Sequence, residues 1–160
     1  MLLAISPEAR TCLAFKAQQK LSIALPRLAS SGLTTGTTNL TLNTSVVVRS
    51  VSLTVPSAGQ VMVNASGLFG FVTGSWFFIA GWCSITTGTA VETSDYLYAR
   101  FVSPTSAQNV PFAGTRVFDV TPGVFSVNLA CTSLSNLVGD FPAVATIETA
   151  GLTALFVPNY

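Results

Sequence analysis

The chain has 160 residues, which is long enough for one well-buried domain and short for two. Only 8% of the residues are charged and 49% are hydrophobic. In soluble domains about a quarter of all residues are usually charged. With so few charges, something besides the chain's own core must cover apolar surface: subunit interfaces, a larger particle or a membrane. The net charge of +1 gives no electrostatic case for binding nucleic acid.

In residues 1–28 apolar side chains recur near the spacing of a helix, and Pro26 ends this pattern. They hold four of the seven basic residues, so we interpret them as a membrane-surface helix, a targeting segment, a docking arm or a poorly ordered leader. The polar, turn-prone residues from Ala29 to Thr44 predict a linker. We therefore predict an N-terminal helical or disordered arm with a linker over residues 1–44, and one domain over residues 45–160.

Alternation of apolar and polar residues predicts β-strands in the domain. Val46–Val55 and Gln60–Ser66 flank a turn that contains a proline and a glycine. The uncharged run from Leu68 to Ile85 reaches the lower length limit of a membrane-spanning helix. Its glycines and its aromatic and β-branched residues favour two buried strands instead, so we expect no insertion into a membrane.

The stretch Thr115–Cys131 is the clearest strand-turn-strand unit of the chain. Pro122 and Gly123 favour a type II turn, which suits a tight hairpin poorly, so we expect a wider connection or a strand that passes between two sheets. A further strand over Val144–Val157 contains Gly151, which predicts a turn or bulge. Seven or more short strands without intervening helices predict a β-sandwich or barrel.

The three cysteines are Cys12, Cys83 and Cys131, so all of them cannot pair within one chain. Their spacing matches no metal-binding signature. A bridge between Cys83 and Cys131 could form in an oxidising compartment, but we favour buried free thiols, because free cysteine is commonly buried.

The sequence offers little for catalysis. Histidine is absent, which removes the commonest general base and metal ligand. There is no nucleophile elbow, phosphate loop or dinucleotide fingerprint. Glu92 and Asp95 could contribute to a calcium site, but without a calcium-loop spacing we favour two solvated acids. We predict no enzyme, with no catalytic residue, cofactor or metal site.

Four aromatic residues are candidates for a recognition surface: Trp76, Trp82, Tyr96 and Tyr98. Such rings give large contacts at low entropic cost and could bind a glycan or a protein. The alternative is that they fill a core or a subunit interface.

Two segments carry a family resemblance. Pro122–Leu129 resembles the Gly-x-aromatic-x-hydrophobic-x-hydrophobic strand of the trimeric jelly rolls related to the complement globular head and tumour necrosis factor. Leu152–Pro158 is similar to the closing strand of these domains, which lies in the middle of the sheet that faces the trimer axis. The resemblance covers about Val46 to Pro158, although no Gly-x-y collagen stalk precedes it. It implies a jelly roll that forms a homotrimer, and no particular ligand.

These observations predict an all-β protein, an antiparallel jelly-roll β-sandwich behind a short N-terminal arm. We expect a non-enzymatic structural and recognition module that forms a homotrimeric head or a fibre or particle subunit, extracellular or on a virion surface. The alternatives are a carbohydrate-binding, lectin-like domain that uses the aromatic residues, a viral capsid or fibre protein, and a membrane-associated protein.

Overall fold

The computed structural model describes residues 27–31, 37–40, 43–72, 77–94, 96–103, 108–135 and 144–159. In these segments the chain forms nine β-strands and no helix. The strands are β1 (Arg27–Ser31), β2 (Thr38–Leu40), β3 (Val46–Val55), β4 (Gly59–Val72), β5 (Phe77–Thr86), β6 (Tyr96–Ser103), β7 (Gln108–Val120), β8 (Gly123–Ser135) and β9 (Val144–Pro158). The predicted N-terminal arm, up to residue 26, lies outside the described residues.

The strands form two antiparallel sheets. Sheet I has the order β1-β9-β4-β7, with β2 also paired to β9, and sheet II has the order β3-β8-β5-β6. Successive strands lie in different sheets at each step from β2 to β5 and at each step from β6 to β9. This topology is a jelly-roll β-sandwich, which confirms the predicted fold class.

The core lies between the two sheets, because each strand turns its alternate apolar side chains inward. Sheet I contributes fully buried Phe69, Phe71 and Phe156, and sheet II contributes Val127 and Leu129. The ring of Phe69 stacks on that of Phe71 with centroids 5.6 Å apart and also contacts Phe112 at 4.9 Å. A Cβ atom on Gly81 of β5 would lie 2.5 Å from the Phe69 ring, so the sheets approach closely there.

The turn after β7 carries the chain from one sheet to the other. β7 ends at Val120 in sheet I, and β8 begins at Gly123 in sheet II. Gly123 has a φ of 139°, a conformation that side chains with a Cβ rarely adopt. Of the two connections expected for this turn, the structure has the strand that passes between sheets.

The segment interpreted as a polar linker differs from that interpretation. Two short stretches pair with β9: Arg27–Ser31, which spans the end of the helix-like stretch and the start of the predicted linker, pairs with Phe156–Leu152, and Thr38–Leu40 pairs with Ile147–Ala145. They act as one interrupted edge strand of sheet I. Leu28 therefore lies in a strand and not in the predicted helix. The bulge in β9 also differs from the prediction, since Gly151 pairs in register with Ser66 and the register shifts between Leu68 and Phe69 instead. Whether the remainder of residues 1–44 forms an arm stays a prediction.

The preference for free thiols at Cys83 and Cys131 is wrong, because the two residues form a disulfide. They are register partners on adjacent strands β5 and β8, and both are fully buried. The sequence separation of 48 residues gave no sign of this pairing, because it arises from strand register alone.

The uncharged run from Leu68 to Ile85 contributes the end of β4 and most of β5. This confirms strands in that run. Among the residues that the structure describes, no helix is long and apolar enough to span a membrane.

Candidate interaction surface

An apolar row crosses the outer face of sheet I. Directly opposite residues of antiparallel strands point to the same face. Leu155 of β9 is the register partner of both Leu28 in β1 and Met62 in β4, and Met62 also pairs with Val117 in β7. The four side chains therefore form one line across four strands, which we call the apolar row.

The apolar row is open to solvent. Leu28 is 67% exposed, Met62 40% and Val117 48%, while Leu155 in the middle is half-buried. Val157, 40% exposed, lies two residues beyond Leu155 on the same face. Four of the six large exposed hydrophobic side chains in the described residues thus lie on this face. Contiguous exposed apolar surface of this kind marks an interaction site more often than scattered single residues do.

A shallow trough of small residues lies beside the apolar row. It has a volume of about 550 Å³. Its lining includes the next register row, Ser30, Thr153, Asn64 and Thr115. The Thr115 hydroxyl donates a hydrogen bond of 2.6 Å to Asn64 Oδ1, and no charged side chain lines the trough. The face therefore combines an apolar line with a neutral recess.

The outer face of sheet II has a different character. Its exposed positions on β3 are Val47, Ser50, Ser52 and Thr54, and Val124 of β8 is 76% exposed. Ser50 donates to Asn128 Oδ1 at 2.7 Å, and the hydroxyls of Ser52 and Ser126 lie 2.8 Å apart. Hydroxyl side chains that bond one another across strands are stable in contact with water. Val47 and Val124 lie at opposite ends of the paired strands β3 and β8, so in the described residues this face carries single exposed valines and not a row of apolar side chains.

The segment between β5 and β6 folds back over sheet II. The Glu92 N–H donates to Ser84 Oγ at 2.9 Å, and the Val91 N–H donates to Ser45 Oγ at 2.9 Å. The Asn128 side chain donates to the Gly88 carbonyl at 2.8 Å. This cover explains why Ser84 is fully buried although it lies on the outer side of β5.

An ion pair closes the edge of the sandwich. Arg116 of β7 in sheet I bonds Glu92 at 2.5 Å and donates to the Ile85 carbonyl at 2.7 Å. The hydroxyl of Thr86 also donates to Glu92. The hydrogen bond from Thr86, then that from Arg116 with its positive charge, lower the pKa of Glu92 against the opposing effect of burial. Glu92 is thus a structural anion, which leaves it poorly suited to catalysis.

The interpretation of Glu92 and Asp95 as two solvated acids is wrong for Glu92, whose carboxylate bonds Arg116 and Thr86. Glu92 is engaged by Arg116, and Asp95 lies outside the described residues. Among the described residues, no group of three or more cysteine or acidic side chains could hold a metal ion.

The four predicted recognition residues are only partly described. Trp76 lies outside the described residues. Trp82 is half-buried in β5, and its register partner in β6 is Tyr98, while Tyr96 pairs with Ser84. Three of the four residues thus lie on two adjacent strands of sheet II, and their role as a recognition surface stays a prediction.

Sequence reasoning missed the apolar row. In β4, β7 and β9, alternation assigns Met62, Val117 and Leu155 each to one face of its own strand. It does not show which residues of neighbouring strands lie opposite one another. Leu28 ends the stretch of residues 1–28, whose helix-like spacing of apolar residues predicted a helix instead of a strand. One signal of a second buried face was present in the sequence. At the end of β9 apolar residues occupy both faces of the strand, whereas a strand with one solvated face would alternate between apolar and polar residues.

Comparisons with known proteins describe what the fold is similar to. No family model matches the sequence, and no curated protein matches it. A chain in the structure of infectious bursal disease virus Gx strain is 12% identical with a TM-score of 0.48, over 84% of this chain and 34% of that one. Eiger TNF from S. frugiperda is 11% identical with a TM-score of 0.46, over 84% and 94% of the two chains.

The globular domain of zebrafish complement 1qA is 11% identical with a TM-score of 0.35, over 83% of this chain and 98% of that one. Structures of the two families that the sequence resemblance names are therefore among those matched. This chain spans about a third of the length of the viral chain. At such identities the likeness concerns the fold alone.

Proposed function

We propose that this chain is a non-enzymatic structural and recognition module that assembles with copies of itself, as a homotrimer, through the outer face of sheet I. In this role it forms a head or a subunit of a fibre or particle. The observation that carries the proposal is the apolar row, in which Leu28, Leu155, Met62 and Val117 align in register across four strands.

Burial of the apolar row would supply a useful part of the association energy. Complete burial of one such side chain contributes about 1.5–3 kcal/mol, so covering side chains that are about half exposed contributes about 1 kcal/mol each. A stable interface removes roughly 800 Å² per partner from water, and the neutral trough beside the row provides further area without charges to desolvate. In the described strands, the face carries no charged side chain between Asp119 at one end and Glu148 at the other.

The low charge of the chain fits the same proposal. A face that is buried in an assembly needs no charged residues for solubility, whereas a free monomer would benefit from them. The resemblance to trimeric jelly rolls, whose closing strand lies in the sheet that faces the trimer axis, favours three copies. In this chain that closing strand is β9, which contributes Leu155 to the apolar row.

The disulfide supports a place outside a reducing compartment. Disulfides persist in oxidising environments such as the cell exterior and particle surfaces. The bond between Cys83 and Cys131 joins neighbouring strands of the core, where it would contribute to the fold of an extracellular or virion-surface module.

The test is the solution mass of the purified chain by size exclusion with light scattering. We expect three times the 16.7 kDa chain mass at micromolar concentration. Met62→Ser and Leu155→Ser should each raise the midpoint concentration of assembly, by about fivefold for a loss of about 1 kcal/mol. Val124→Ser is the matched control, because Val124 is 76% exposed but lies on sheet II. A stable species of 16.7 kDa at these concentrations would contradict the proposal.

A second candidate function is glycan binding by the aromatic residues. The register of Trp82 opposite Tyr98, with Tyr96 on the same strand, favours it because adjacent rings can form a platform for a sugar. Titration with glycans should quench tryptophan fluorescence in the wild-type chain and less in Trp82→Ala. Silence on a glycan array together with unchanged fluorescence would remove this candidate.

A further inference from the structure

The edge strand β1 is weakly held by its own side chains. Among the described strands it pairs with β9 alone. Its inward positions are Arg27, Ala29 and Ser31, of which Ala29 packs against the core and is only half-buried. The hydroxyl of Ser31 is buried and has no hydrogen-bond partner among the described residues, which opposes docking of the strand.

The outward side of β1 carries its largest apolar group. Leu28 is 67% exposed and forms one end of the apolar row. A strand with its large apolar side chain outside, and with only Ala29 packed against the core inside, gains little apolar burial by docking in an isolated chain. It gains more once a second molecule covers the outer face, because Leu28 is then buried.

The neighbouring strand β2 shows the opposite arrangement on the same partner strand. Its residue Leu40 is buried in the core, at 7% exposure, and pairs with Ala145 of β9. Leu40 therefore anchors β2 within one molecule. The contrast is thus that the large apolar side chain of β2 is buried within one molecule, whereas that of β1 needs a partner to be buried.

From this contrast we infer that docking of β1 and self-association of the chain are thermodynamically coupled, so that a second copy of the chain completes the edge of sheet I. The inference rests on the proposed function. Coupling of this kind is reciprocal: assembly stabilises the docked strand, and any change that stabilises the docked strand in the monomer strengthens assembly. The N-terminal edge strand then acts as a regulatory element of the interface.

Hydrogen exchange read by mass spectrometry tests the coupling in the full chain. Samples are compared at concentrations above and below the assembly midpoint. We expect the amides of residues 27–31 to exchange more slowly in the concentrated sample, while those of residues 38–40 change less. An equal change in both strands, or no change in either while the mass shows assembly, would overturn the inference and leave the proposed function intact.

Two substitutions test the reciprocal effect. Ser31→Ala removes the unpaired hydroxyl without touching the outer face, so it should lower the assembly midpoint by about fivefold. Leu28→Ser should raise the midpoint by about tenfold. Thr54→Ala on the outer face of sheet II is the control, with no expected change.

The outcomes separate the two ideas. An unchanged midpoint in Ser31→Ala, with assembly of the wild type intact, would overturn the coupling alone. A wild-type chain that stays monomeric at all concentrations would overturn both the proposed function and the coupling. A lowered midpoint in Ser31→Ala with faster exchange of β1 in Leu28→Ser would support the coupling.

Discussion

The disulfide between Cys83 and Cys131 should supply a large part of the stability of the domain. The bond closes a loop with a sequence separation of 48 residues. In the chain-entropy account, closing such a loop in the unfolded chain stabilises the folded state by about 4 kcal/mol. A domain of this size has a total stability of about 5–15 kcal/mol, so loss of the bond should leave it marginally stable.

The perturbation is the double substitution Cys83→Ala and Cys131→Ala, with Cys12→Ala as the control. Unfolding in urea under non-reducing conditions measures the effect. For a slope near 2 kcal/mol per molar urea, the double variant should unfold about 2 M earlier than the wild type. The Cys12→Ala control should unfold at the same urea concentration as the wild type, because Cys12 takes no part in the bond.

A thiol count provides an independent check. The chain has three cysteines, so the unreduced, denatured wild type should show one reactive thiol, that of Cys12. Three reactive thiols, or a double variant that unfolds at the same urea concentration as the wild type, would refute the reasoning. The first result would mean that the bond does not form, and the second that it adds no stability.

Two further predictions concern packing and pH. Gly81→Ala should destabilise the domain by about 1–3 kcal/mol in urea unfolding, because the new methyl group would displace the buried Phe69 ring. Gly88→Ala should have little effect, because a Cβ atom there would meet only the Thr86 hydroxyl, at an ordinary contact distance of 3.6 Å. Equal stability of the two variants would contradict this packing argument. The pKa of Glu92 is lowered in the folded state, so its contribution to stability is present above the unfolded pKa of about 4.5 and is lost as pH falls through the lowered folded value. Stability measured from pH 6 to pH 3 should therefore fall more steeply in the wild type than in Glu92→Gln, and parallel curves would contradict the role of the ion pair.

The fold class could be predicted from the sequence because strand alternation is a local property. Val46–Val55 is an example, since every second residue from Val51 to Val55 is buried as its pattern predicts. At Pro122 and Gly123 the preferred turn, which is set by these two residues, disfavoured a tight hairpin and left two alternatives, a wider connection or a passage between sheets, of which the structure has the second.

The interaction surface could not be predicted in the same way, because it depends on register between distant strands. The apolar row joins residues 28, 62, 117 and 155, and no local pattern relates them. The same holds for the disulfide, whose cysteines become neighbours only through the pairing of β5 with β8. Short edge strands add a second difficulty, since five residues such as Arg27–Ser31 carry too little alternation to separate a strand from the end of a helix.

Two charged side chains among the described residues join the two sheets. Arg49 of β3 donates from Nε to the Ala150 carbonyl of β9 at 3.1 Å, so it links sheet II to sheet I. Arg116 makes the corresponding link from sheet I to the Ile85 carbonyl of sheet II. The outer face of sheet II presents mainly hydroxyl side chains to water, with single exposed valines at the two ends of the β3–β8 pair, and the outer face of sheet I has the apolar row. This difference between the faces is the expected result if only one of them is covered by other copies of the chain.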